Sequence, residues 1–136
     1  MDNKRFTLSE ANALLPQLKE ELQRLQELTE QHDIQFVSYQ KLKAAHRAAG
    51  SKLENKDPFF ELESRLDFMK METELLIQNF ARKGVLLKMI HPGLIDFPAE
   101  LNGEQVLICW KEGEERATHY HGWHDGFMGR KPFPEQ

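Results

Sequence analysis

One cysteine, Cys109, is present in a chain of 136 residues. No internal disulfide can therefore brace the fold, and the chain reads as one kept in a reducing compartment. Long apolar runs are missing too. The longest extend over a few residues, against the ~20 that a membrane-crossing helix requires, and the stretch from Met1 to Leu15 has no apolar core of the signal-peptide kind. These absences set the expectation of a cytoplasmic protein with no membrane partner. Runs of lysine or arginine are also lacking: 18 basic residues against 22 acidic ones leave a net charge of -4, with no basic stripe to follow a phosphate backbone. Nucleic acid is excluded as a first partner. Internal repeats and low-complexity segments are absent as well. What remains is an ordinary globular composition, 40% hydrophobic and 29% charged. It is enough for one domain over residues 1–136 with a modest core.

The first half, residues 1–84, has helical periodicity. Thr7 stands three before Glu10, the capping-box spacing, so a helix is expected from Leu8. Ala11, Leu15, Leu18, Leu22 and Leu25 step by fours and threes, a narrow stripe of coiled-coil type that needs a partner helix. Pro16 lies inside it, which predicts a kinked or separate first segment. The seam turns polar at Thr29, His32 and Asp33, recovers through Phe36, Tyr39, Leu42 and Ala45, and stops at Ala49-Gly50. Asp57 and Pro58 read as an N-cap and first-position proline of a second helix. Its stripe is Phe59, Leu62, Leu66, Met69, Thr73, Leu76 and Phe80, ending at Lys83-Gly84. With residues 51–56 as a short polar loop, the two stripes make an antiparallel helical hairpin.

From Val85 the period changes to two. Val85 to Ile90, Leu94 to Leu101, Gln105 to Trp110 and Ala117 to His121 read as strands, and Asn102-Gly103 is a strong hairpin signal. The expected fold is α+β, an N-terminal antiparallel helical hairpin followed by a small antiparallel sheet of three or four strands in residues 85–136 (ααββββ). A sheet of that size has too little core of its own and is expected to pack one face on the hairpin. The tail after Arg130 is expected to be extended.

Three stretches, FTLSEANALLPQL, GLIDFPAELNGEQVLICWKEGEE and HGWHDGFMGRKPF, together resemble a group of small bacterial proteins known as domain of unknown function family 2203. The resemblance spans nearly the whole chain. It implies a helical region followed by a compact β region, and it implies no activity and no functional residues.

The segment THYHGWHDGFMGRKPF holds the candidate site. His119 and His121 are two apart in a strand and so share a face in any register. With His124 and Asp125 just past Gly122 they can offer three nitrogens and an oxygen to a divalent metal such as zinc. From Val85 onward five basic residues face eight acidic ones, which favours a cation. Against this, H-x-H-x-x-H matches no specific motif, and these histidines read more readily as half-exposed polar or capping residues beside packing residues Tyr120 and Trp123. If Asn102-Gly103 closes a two-residue turn, Phe97 faces Ile108 and Asp96 faces Cys109; a next turn centred on Gly113-Glu114 sets His119 opposite Ile108 and His121 opposite Val106. Cys109 reads as a small buried hydrophobe, Asp96 as a turn cap or ligand-orienting group, Phe127 as a core plug, and Arg130 as the partner of Asp125 or Asp96.

No nucleophile and base pair is recognisable. The leading expectation is a non-enzymatic interaction or regulatory module with the hairpin as docking surface. The alternative is a metal-binding protein or metal-dependent hydrolase using His119, His121, His124 and Asp125. A continuous first helix would span roughly 60 Å against about 40 Å for the second. The uncovered apolar length, either Leu8, Leu14 and Leu15 or Phe36, Tyr39 and Leu42, predicts a homodimer through the first helix, and otherwise a protein partner.

Overall fold

In the computed structural model, which describes residues 4–50 and 58–134, the first helix begins where its cap dictates. The Glu10 amide donates to Thr7 Oγ1 at 3.0 Å and the Thr7 amide donates to Glu10 Oε1 at 2.8 Å. Two otherwise unpaired donors are thereby satisfied, and α1 runs from Leu8 to Ala48. The break expected at Pro16 is absent: α1 is one helix of 41 residues. Pro16 sits on the exposed side while Leu15 and Leu18 on either side of it are buried. Tertiary packing of the apolar face thus outweighs the hydrogen bond that proline removes.

The second helix, α2, covers Phe60–Arg82. Its N-cap is Phe59, with no side-chain cap, so Pro58 precedes the helix instead of opening it; the expected cap Asp57 and the spacer 51–56 lie outside the described residues. Arg24 pairs with Glu72, Tyr39 donates to Glu63, and Lys83 bonds Glu21 at 2.8 Å. Late residues of one helix thus meet early residues of the other, the antiparallel hairpin the sequence pattern predicts. Gly84, at φ +84°, turns the chain out of α2.

Five strands follow, one more than the largest number expected: β1 Leu86–Met89, β2 Leu94–Leu101, β3 Glu104–Lys111, β4 His119–Gly122 and β5 Lys131–Pro132. They form one antiparallel sheet in sequence order. The added strand is the tail, where Lys131 pairs with Tyr120 and Pro132 with His119; two residues are too short a run to carry a period of their own. Asn102 and Gly103, at φ 54° and 82°, close the β2-β3 turn, and Phe97 faces Ile108 while Asp96 faces Cys109 as the turn chemistry requires.

The β3-β4 register differs from the expected one. His119 lies opposite Cys109 and His121 opposite Leu107. The connection is one residue longer in effect than a turn centred on Gly113-Glu114, and because side chains alternate, that single step moves both histidines to the other face.

Alternation gives the sheet two sides. Ile95, Phe97, Ala99, Val106, Ile108 and Trp110 point into a core shared with Phe6, Ala11, Leu15, Leu18, Leu22, Leu25 and Phe80. Asp96, Leu107, Cys109 and His121 occupy the outer side and are buried as well. Polar ties bind α1 to the sheet along its first half. Asn12 exchanges two hydrogen bonds with the Ala117 backbone, and Gln26 donates to Ile90 O and Glu112. The sheet therefore covers the length of α1 that α2 does not reach: Leu15 is buried, and Leu8 and Leu14 pack against the core.

Candidate functional site

Three strands each bring one side chain to the middle of the outer face: Asp96 from β2, Cys109 from β3 and His121 from β4. All three are buried, Asp96 to 1% exposure and Cys109 to 0%. One potential metal-ligand atom from each lies within 4.8 Å of the other two. Of the four residues singled out in the sequence, His121 joins this group. His119 is half-buried on the same face, with Nδ1 2.8 Å from Thr118 Oγ1. His124 and Asp125 are exposed in the turn after β4, where the Asp125 carboxylate fills the space that a Cβ on residue 122 would need.

The hydrogen-bond geometry within the group is specific. His121 Nδ1 stands 2.8 Å from the Gly122 carbonyl oxygen. A carbonyl only accepts, so Nδ1 carries the hydrogen, and in the neutral ring Nε2 then presents a lone pair. That lone pair faces Asp96 Oδ2 at 3.2 Å. Asp96 Oδ1, also buried, has no hydrogen-bond partner among the described residues. Burial pushes the Asp96 carboxyl above its ordinary value even though His121 pulls it down. Burial pushes the Cys109 thiol up to about 12, and the neighbouring carboxylate adds to the rise. A sealed thiol of that acidity is no nucleophile at neutral pH. Imidazole, thiolate and carboxylate are nevertheless the donor types that hold borderline divalent metals.

At the edge of this group Arg130 makes a two-pronged pair with Glu114, Nη1 to Oε1 at 3.0 Å and Nη2 to Oε2 at 2.5 Å. Glu114 is thus the acid Arg130 meets, in place of Asp125 or Asp96. Phe127 is half-buried and does not plug the core; its ring lies beneath Lys111 and Arg130, whose charged groups stand 5.0 and 4.1 Å from its centre. Tyr120 packs edge-on against Phe133, whereas Trp123 is exposed.

A second feature lies at the far end of the hairpin. Phe60, Phe68, Met71 and Leu75 form a stripe on α2, exposed by 63%, 69%, 59% and 54%. Their helical spacing sets them on the side away from Leu66 and Phe80. Ile34, Val37 and Leu42 on α1 are exposed as well.

The helical half, the NG-closed hairpin and the C-terminal segment with Arg130 together match, over residues 4–133, the family described as an uncharacterized conserved protein (DUF2203). The chain belongs to that family. No curated protein and no solved structure matches it. In this family member the Asp96-Cys109 pairing was legible from the Asn102-Gly103 turn. The third participant was not, because the β3-β4 connection offers no comparable turn signal. Moving that turn by one residue is enough to bring His121 onto the face of Cys109. Among the described residues no helix is long and apolar enough to cross a membrane.

Proposed function

We propose that this protein is a non-enzymatic docking module that self-associates through the exposed end of its helical hairpin. The observation that carries the reading is the α2 stripe of Phe60, Phe68, Met71 and Leu75, each more than half exposed. Such stripes mark association surfaces. Fully burying one large apolar side chain contributes roughly 1.5–3 kcal/mol, so four supply on the order of 6–12 kcal/mol. Association itself costs about 4–15 kcal/mol, so the α1 residues Ile34, Val37 and Leu42 are needed in the same contact. Charge favours a second copy as the occupant: α2 carries five acidic against three basic residues, and α1 from Glu30 to Ala48 carries two acidic against three basic. Opposite balances suit α1 of one copy lying on α2 of another. The non-enzymatic part of the reading rests on burial, since Asp96 and Cys109 are sealed from any substrate.

Light scattering at micromolar concentration tests it. A mass near twice 15.9 kDa is expected, falling to the single-chain value in Phe68→Ser with an unchanged far-ultraviolet circular dichroism spectrum. A single-chain mass for the unaltered protein, or a dimer indifferent to Phe68→Ser, overturns the reading.

A further inference from the structure

The outer face of a small sheet is an unfavourable place to bury a carboxylate, an imidazole and a thiol, even where the thiol and the imidazole both hydrogen-bond the carboxylate. A buried polar group without a partner costs roughly 1–3 kcal/mol, more when charged. Here Asp96 Oδ1 is orphaned and Asp96 Oδ2 faces the lone-pair side of His121. The contact needs a positive centre, a proton or a metal ion, and a proton shared between Asp96 Oδ2 and His121 Nε2 leaves Asp96 Oδ1 unpaired. We infer that Asp96, Cys109 and His121 bind a divalent cation of the zinc class, which clamps β2, β3 and β4 together on the outer face of the sheet.

Four features of the geometry agree. First, the ligand types are imidazole nitrogen, thiolate sulfur and carboxylate oxygen, the set zinc takes and magnesium or calcium does not. Second, two ligands about 2.0–2.1 Å from a tetrahedral zinc stand about 3.3 Å apart, and His121 Nε2 and Asp96 Oδ2 are 3.2 Å apart. Third, His121 Nδ1 donates to the Gly122 carbonyl, the outer contact that metal-ligating histidines use to fix ring orientation and leave the other nitrogen free for the metal. Fourth, the residues come from three adjacent strands on one face of the sheet: Asp96 faces Cys109 across β2-β3, and His121, opposite Leu107, stands two residues along β4 from His119, the residue that faces Cys109. Three protein ligands leave one tetrahedral position for water. Because the ligands are buried, the ion enters as the sheet forms, and binding free energy becomes folding free energy. The inference stands independently of the docking reading: a clamp on the sheet is indifferent to what covers α2.

The test uses the full chain without a polyhistidine tag. Elemental analysis of protein as purified is expected to give close to one zinc per chain. Exchange with Co²⁺ is expected to give the intense visible bands of a tetrahedral site and a thiolate charge-transfer band in the near ultraviolet. His121→Ala and Asp96→Asn weaken binding by more than the ~10–100-fold that a lost outer partner costs, and Cys109→Ser removes the charge-transfer band. His119→Ala, which lies across from Cys109 but outside the ligand group, keeps its metal. Circular dichroism of Asp96→Asn, whose replacement is of nearly the same shape, separates lost metal from lost fold. Failure to bind zinc or cobalt at micromolar concentration overturns the inference. So does a cobalt spectrum unchanged in Cys109→Ser, or a loss of metal in His119→Ala as large as in His121→Ala.

Discussion

The two halves of α1 carry apolar residues at similar spacing and meet different fates. From Ala11 to Leu28 the stripe is sealed, with Leu18 and Leu25 at 0% exposure. Beyond Thr29 only Tyr39 is buried, and Ile34, Phe36, Val37 and Leu42 face solvent. The first half packs against both α2 and the sheet, whereas the second has, among the described residues, α2 alone beside it. Periodicity therefore specified a helix throughout, but burial followed the number of neighbouring layers. Among the described residues, no third element closes over this part of the two-helix ribbon. Stability should be correspondingly uneven, concentrated where α1, α2 and the sheet meet and low towards the tip.

The largest test of that contrast is a matched pair of leucines. Leu18→Ala removes a fully buried side chain in the three-element core and should cost about 2–5 kcal/mol. Leu42→Ala, at 53% exposure, should stay within about 0.5 kcal/mol, as surface substitutions do. Urea midpoints of the two variants at low protein concentration, where association is minimal, give the comparison directly. Equal losses would mean that the tip is as tightly packed as the base.

Polar ties provide a second and smaller test. Asn12 accepts from the Ala117 amide at 2.8 Å and donates to its carbonyl at 3.0 Å, so Asn12→Ala leaves two backbone groups at a buried residue without partners. About 1–3 kcal/mol should be lost. Tyr39→Phe at the tip removes a hydroxyl that bonds Glu63 and Lys43. Water can replace those contacts, and the loss should be about 1 kcal/mol or less. Denaturation curves with coincident probes would show a larger loss for Asn12→Ala; the reverse order would contradict an anchored base and a loose tip.

What could be read in advance follows from how local the determining chemistry is. Thr7 and Glu10 are three residues apart and fix the start of α1 by themselves; Asn102-Gly103 fixes the β2-β3 register by itself. Pro16 also acts locally, but the local expectation failed because Leu15 and Leu18 gain burial from partners far along the chain. The β3-β4 register depends on how seven residues between Lys111 and His119 fold. Trp110 Nε1 donating to Glu114 O and the Lys111 amide donating to Glu114 Oε1 shape that turn, and neither contact has a signature in the residue order. The cluster of Asp96, Cys109 and His121 depends on both turns, which is why the residue order pairs its first two members correctly and sets its third on the opposite face.

The smallest expected effect lies at the boundary between the two halves. Glu112 Oε1 accepts from the Gly93 amide and from Gln26 Nε2, both at 2.8 Å. It thereby ties the end of β3 to the turn before β2 and to the last sheet-bound turn of α1. The Gly93 amide is the main cause holding the Glu112 carboxyl below its ordinary value, with Gln26 adding to it. A carboxyl depressed in the folded state contributes stability that is complete above its ordinary value and is lost as the pH falls towards the folded value. Glu112→Gln keeps an acceptor oxygen and cannot ionise. The wild type should therefore be modestly more stable than this variant at neutral pH. The difference should close as the pH falls past about 4.3, the ordinary glutamate value. Urea midpoints of both proteins from pH 7 to about 3.5 measure the gap. A gap that widened on acidification would have the wrong sign for a stabilised carboxylate, and a gap independent of pH would mean that the tie at Glu112 works through shape alone.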